Sequence, residues 1–195
     1  MFINRRRKEL ALKIVYYGPA LSGKTTNLER IHAKTRPELR GELVSVKTRE
    51  DRTIYFDYLQ LELGQVCGLK PKFNLYTVPG QVYYAASRKL VLQGVDGIVF
   101  VADSQFPRLS DNQVALRDMH THLRDYGYDP ATLPLVVQFN KRDLPNVVPM
   151  PILRDWLSLH GSIPYFPAVA VSGEGVFDTL KAIINQVIAE VQRQI

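Results

Sequence analysis

The chain has 195 residues, of which 46% are hydrophobic and 23% charged, as expected of one soluble globular domain with a core of its own. A single cysteine, Cys67, excludes an internal disulfide and fits a reducing compartment, and no apolar stretch reaches the roughly 20 residues that cross a bilayer. The net charge of +6 is spread thinly except for one run, Arg5-Arg6-Arg7-Lys8, with no aromatic-interleaved basic motif after it, so nucleic-acid binding is not expected; an acidic partner or an anionic membrane surface fits a positive field as well.

Residues 1–10 form a basic N-terminal segment without the apolar core and cleavage site of a signal peptide. The ending Val191-Gln192-Arg193-Gln194-Ile195 has no prenylation cysteine, so a cytoplasmic protein with only indirect membrane contact is expected. Residues 12–17 are a short apolar strand stopped by Gly18 and Pro19, and residues 25–34 read as a helix. Residues 54–63 and 72–78 are two further strands, with turn residues from Gly64 to Gly68 between them, and are expected to pair as an antiparallel hairpin.

Three strands at 97–102, 135–139 and 165–171 are apolar on both faces, as in a parallel sheet covered by helices. Helical stretches are predicted at 111–126, 151–160 and 176–193; in the last, Phe177, Leu180, Ile183, Ile184, Val187, Ile188 and Val191 repeat at helical spacing and form a core-facing stripe. Trp156 and the leucines near it are expected in a core stripe as well. Strands alternating with helices predict an α/β fold in one domain, 1–195: a doubly wound, mostly parallel sheet with one antiparallel edge hairpin. His120 and His122 do not share a helix face and are not read as ligands.

The first strand runs into Gly18-Pro19-Ala20-Leu21-Ser22-Gly23-Lys24-Thr25, which is GxxxxGK[ST] placed between a strand and a helix. Backbone N–H groups from Leu21 to Thr25, together with the positive end of the helix, form a phosphate cradle, and Thr26 continues its first turn. Lys24 reaches the β- and γ-phosphates, and the Thr25 hydroxyl is suited to Mg²⁺. Asn140-Lys141-Arg142-Asp143 follows the strand 135–139, at the sheet edge where such folds bind ligands. A carboxylate at Asp143 can accept from both N1–H and the 2-amino group of guanine, a pair adenine does not offer. The Asn140 side chain can reach the base edge, and the Lys141 stem can pack along its plane.

With both motifs in place, the whole chain resembles a Ras-superfamily small GTPase, or G domain. The resemblance implies a GTP hydrolase that works as a switch, with GTP or GDP and Mg²⁺ bound. In it, Ala170-Val171-Ser172 stands at the loop whose backbone meets the guanine O6, with the contact carried to Ala170. Residues 77–88 hold switch II: Gly80 is the residue whose N–H meets the γ-phosphate, and Gln81 orients the attacking water. Thr77 stands where the family keeps an aspartate supporting the metal, a role another carboxylate such as Asp51 could take over. Residues 41–53 hold switch I, where Thr48 and Thr53 are both candidates for the metal- and γ-phosphate-binding threonine; Thr53-Ile54 at a strand start favours Thr53. Its neighbour Arg52 reads either as an arginine finger in cis or as an exposed loop residue.

The combination Gly-Pro-x-Leu-Ser-Gly-Lys-Thr-Thr-Asn-Leu, Asp-Arg-Thr and Tyr-Thr-Val-Pro-Gly-Gln-Val-Tyr-Tyr is similar to the bacterial gliding-motility GTPases, the MglA group. That likeness implies a role in cell polarity and in gliding or type IV pilus motility, with recruitment to a cell pole. It also implies a homodimeric activator of the roadblock/LC7 type, MglB-like, that positions Arg52 and Gln81. Ala20 departs from the glycine common after Gly-Pro. With Thr77, it leaves open a nucleotide-gated binding module with negligible hydrolysis. An ATPase or nucleotide kinase is disfavoured by Asn140 and Asp143, and an RNA-associated GTPase by the lack of a basic motif.

Overall fold

The computed structural model describes residues 1–47, 53–80, 84–159 and 163–194, without the side chains of residues 46–47 and 53–55. Eight strands form one sheet in the order β3-β4-β5-β2-β6-β7-β8, with β1 paired to β2 off this path. The strands are β1 (Phe2–Asn4), β2 (Glu9–Tyr17), β3 (Val44–Lys47), β4 (Thr53–Glu62), β5 (Lys70–Thr77), β6 (Gly97–Asp103), β7 (Leu135–Asn140) and β8 (Tyr165–Pro167). The helices are α1 (Lys24–Lys34), α2 (Ala85–Leu92), α3 (Leu109–Asp125), α4 (Met150–Trp156) and α5 (Val176–Gln194).

The strands β5, β2, β6, β7 and β8 run parallel, which requires helical crossovers that cover both faces. On one face Leu12, Ile14 and Tyr16 of β2, Leu59 and Leu61 of β4 and Val99 of β6 pack with Leu28 and Ile31 of α1 and Ile183 and Val187 of α5. On the other, Val15, Tyr17, Phe100 and Phe139 meet Leu92 of α2, Met119 and Leu123 of α3 and Leu153 of α4. The period-two alternation along β2 therefore sends Leu12, Ile14 and Tyr16 to one core and Val15 and Tyr17 to the other.

The antiparallel part is larger than the predicted single hairpin. The β4–β5 pair is present, but β3 extends the edge, and β1 folds back on β2 through residues 5–8. Both added strands are short and lie at sheet margins, where four or fewer residues give little periodicity to read. The parallel helices and strands lie close to expectation, except that α4 ends at Trp156 and β8 at Pro167. Trp156 is not in a core stripe: it is 45% exposed and lines a surface groove with Phe106 and Ile152.

A buried polar chain ties α1 and the end of the first loop to β7 and α5. Asn27 of α1 donates to Gly23 O at 2.9 Å and to Gln138 Oε1 at 2.8 Å, while Gln138 Nε2 donates to Asn27 Oδ1 at 2.9 Å and to Thr179 Oγ1 of α5 at 3.1 Å. Thr179 passes its own proton to Gly175 O at 2.7 Å. With every amide group satisfied, this chain fixes where α1 leaves the loop at residues 18–23.

Candidate functional site

The site lies at the C-terminal ends of β2, β5, β6 and β7, where parallel strands deliver their loops. Between β2 and α1 the chain turns through residues 18–23. Gly23 has φ +99°, and a Cβ there would stand 2.2 Å from Asn140 Nδ2; at Gly18, φ is +148° and a Cβ would strike Val101 O at 2.2 Å. Both positions need glycine for backbone and for space. Leu21, at the apex, also has a left-handed φ of +63° and is 68% exposed, while Ser22 is buried beneath it. Thr26 belongs to the first turn of α1.

Lys24 is almost fully buried and folds back over this loop, donating from Nζ to Gly18 O at 3.0 Å and Pro19 O at 2.7 Å. Burial lowers its pKa from 10.5 to about 7, opposed by the Asp57 carboxylate and assisted by Arg88, Arg108 and Lys141. An ammonium held in a dry site among other cations is primed for an anionic ligand.

The acceptor of most consequence was not among the predicted site residues. Asp57 of β4 is fully buried, and its Oδ2 accepts from Thr25 Oγ1 at 2.5 Å and from Thr77 Oγ1 at 2.6 Å; Ser45 Oγ donates to Oδ1. The Asp57 N–H donates to Thr77 Oγ1 at 2.9 Å. The Thr77 hydroxyl is thus bonded to a carboxylate of the neighbouring strand, while Asp51 lies outside the described residues. A signal for Asp57 exists in the sequence, because it shares the phase of Leu59 and Leu61, the inward face of β4. Thr25, Asp57 and Thr77 together supply the hard oxygen donors that suit Mg²⁺.

At the other end of the loop, Asn140 is a staple. Its Nδ2 donates to Ser22 O at 2.7 Å, and its Oδ1 accepts from Ala170 N at 2.9 Å. Asn140 thus joins β7, the first loop and the loop before α5, and its amide keeps a second Nδ2 hydrogen and a second Oδ1 lone pair for the expected contact with a base edge. Val171, the next residue, is 59% exposed. Lys141 adopts φ +65° and sends its Nζ to Asp103 Oδ2 at 2.8 Å. Asp103, buried at the end of β6, also lies 3.8 Å from Arg108, which donates to Ala20 O at 2.7 Å. Neither Asp103 nor Arg108 was predicted, although an acid directly ending an apolar strand is a readable sign. Asp143 is exposed and, among the described residues, its carboxylate has no hydrogen bond or ion pair.

Gly80 packs straight onto the first loop: a Cβ there would lie 2.4 Å from Ala20 Cα and 2.8 Å from Pro19 C. Arg52 and Gln81 lie outside the described residues, as does Thr48. Thr53 opens β4 in register with Lys47, and its side chain is likewise outside them.

A model of the ADP-ribosylation factor family matches residues 1–187. The chain is 53% identical over 192 residues to the mutual gliding-motility protein MglA of Myxococcus xanthus (strain DK1622), covering 98% of each chain. It is 27% identical over 184 residues to human ADP-ribosylation factor-like protein 4C, covering 91% of this chain and 88% of that one, and to the mouse protein at the same level.

Proposed function

From the premise that this chain belongs to the ADP-ribosylation factor family and is a GTP hydrolase, we propose that it is a Mg²⁺-dependent switch that regulates gliding motility. The observation that carries the reading is the convergence of Thr25, Asp57 and Thr77 beside Lys24, with oxygen donors and a buried ammonium on the two sides of one phosphate cradle. Thr25 and Asp57 would hold the metal, with Thr77 orienting Asp57 and Thr53 closing from switch I. When bound, Mg²⁺ would draw charge from the phosphate oxygens. Lys24 would leave the carbonyls of Gly18 and Pro19 for the β- and γ-phosphates, and the N–H groups from Leu21 to Thr26 would meet the remaining oxygens.

Asp143 would read the guanine edge, and the main chain of Ala170 and Val171 would meet its carbonyl. Asn140 holds these loops in register. Gly80 is in contact with Ala20, so a terminal phosphate bonded by the Gly80 N–H would have to part the two segments. That separation is how a γ-phosphate would be sensed in switch II. Gln81 would orient the attacking water, and Arg52 would place its guanidinium on the transferring phosphoryl group.

The MglA-like partner would be a roadblock/LC7-type homodimer that sets Arg52 and Gln81 in place. This is tested by single-turnover hydrolysis with and without that activator. A stimulated rate that falls about 10³-fold in Arg52→Ala supports a cis arginine; an unchanged stimulated rate removes it. If the activator accelerates nothing, the chain acts instead as a nucleotide-gated binding module.

A pH dependence follows from Lys24. Its pKa is about 7 in the free chain, and bound phosphates must raise it, so above pH 7 binding has to take up a proton. The GDP association constant is expected to fall by roughly tenfold per unit between about pH 7.5 and 8.5. Calorimetry in buffers of different ionisation enthalpy should register close to one proton taken up. Because the folded pKa lies below the unfolded one, the free chain itself should gain stability as pH rises from 7 towards 10.5. Lys24→Arg, which stays charged throughout, should flatten the binding profile.

A further inference from the structure

The end of the sheet opposite the site carries a feature that GTP hydrolysis does not use. The turn between β1 and β2 is Arg5-Arg6-Arg7-Lys8, and all four residues are exposed. Among the described residues, none of these four side chains has a hydrogen bond or ion pair; within the turn the Arg7 main-chain N–H donates to Asn4 Oδ1 at 3.1 Å. The nearest acids are otherwise engaged, since Glu9 and Glu62 both pair with Lys72, at 3.0 and 3.6 Å. Exposed Lys70 adds a further cation, tied to the turn by its N–H donating to Lys8 O at 2.8 Å.

The rest of the chain is nearly neutral. Of 25 basic and 19 acidic residues, removing these four leaves 21 against 19, so the net charge falls from +6 to +2. Most of the excess therefore sits on one convex tip. At the other end of the short strand β1, opposite Ala11, Phe2 is 68% exposed, whereas Ile3, the next residue, packs against the core.

We propose that this tip, Arg5 to Lys8 with Lys70 and Phe2, docks directly on an anionic lipid surface. Each cation near such a surface adds attraction, and a single apolar group at headgroup depth supplies the second signal that reversible anchoring needs. Aromatic rings favour that depth. A nucleic acid is a poorer fit, because a four-residue convex turn has neither the groove that tracks a backbone nor aromatic residues interleaved with the cations. The nine residues of β2 separate the tip from the phosphate loop by roughly 30 Å. Docked this way, the molecule would present its switch side to the solvent and to partners.

The test uses the full chain with GDP, sedimented with sucrose-loaded vesicles of phosphatidylcholine alone or with about 30 mol% phosphatidylserine. Binding is expected only to the anionic vesicles and is expected to be lost in about 0.5 M salt, where the screening length shrinks to a few ångströms. The variant Arg5→Ser/Arg6→Ser/Arg7→Ser/Lys8→Ser should bind about fivefold more weakly per charge removed, several hundredfold in all, with GDP affinity unchanged. Arg5→Lys/Arg6→Lys/Arg7→Lys should retain binding, and Phe2→Ser should weaken it several-fold. Equal binding to neutral vesicles, or no loss in the serine variant, would overturn the proposal. So would an RNA oligonucleotide or an acidic peptide held by the wild type while anionic vesicles are not.

Discussion

Replacing Asp57 by asparagine is expected to abolish the difference that Mg²⁺ makes to nucleotide retention. In the wild type, release of a fluorescent GDP should be slow with Mg²⁺ and fast with a chelator. In Asp57→Asn the Mg²⁺ rate should rise by about 10²-fold, the effect of losing one charged ligand whose contribution is about 3 kcal/mol. Release in chelator should change much less, because the phosphate loop keeps its own bonds and Lys24 loses only the Asp57 charge that acts on it. A variant with the wild-type gap between the two conditions would show that Asp57 does not serve the metal.

The same geometry explains why a threonine at 77 is compatible with the site. Thr77 Oγ1 lies 2.6 Å from the Asp57 carboxylate, so Thr77→Asp would set two carboxylates side by side in a buried place. Their repulsion should lower stability by about 2 kcal/mol in the absence of metal, with one of the two protonated near neutral pH. In Asp57→Asn/Thr77→Asp a single carboxylate returns one strand away. That double variant should recover part of the Mg²⁺ dependence, and thermal melts with and without Mg²⁺ would register both effects.

What was legible in the sequence follows from how the chemistry is encoded. The loop at 18–25 and the segment Asn140 to Asp143 are contiguous, and glycine or a carboxylate is demanded at fixed offsets, so each can be read from a single stretch. Asp57 is different: its role depends on β4 pairing with β5 and on α1 crossing above, three segments whose contact is a tertiary fact. Only the phase shared with Leu59 and Leu61 marked it as inward. The stapling bonds of Asn140 were not legible, because its partners Ser22 O and Ala170 N are main-chain groups that no motif records. Strands β1 and β3 and helix α2 were missed since three, four and eight residues carry too little periodicity. Trp156 misled because an aromatic among leucines looks like core, yet α4 turns it to the surface.

The division of labour between Asn140 and Asp143 gives the last expectation. Asp143 is exposed at the mouth of the site with no partner among the described residues, so its substitution should leave the fold unchanged. Asp143→Asn replaces an acceptor for two guanine donors by a group with one acceptor and one donor. Guanine nucleotides should lose about 10²- to 10³-fold in affinity, as two charge-assisted bonds at roughly 1.5–2 kcal/mol each imply. Xanthine nucleotides, which offer a carbonyl in place of the 2-amino group, should gain. Asn140→Ala should behave otherwise. It strands Ser22 O and the buried Ala170 N–H, costing about 2–4 kcal/mol of stability and weakening guanine and xanthine nucleotides alike. Calorimetry with GDP and XDP on both variants separates base reading from scaffolding: a base preference that moves with Asn140 rather than Asp143 would reverse the assignment.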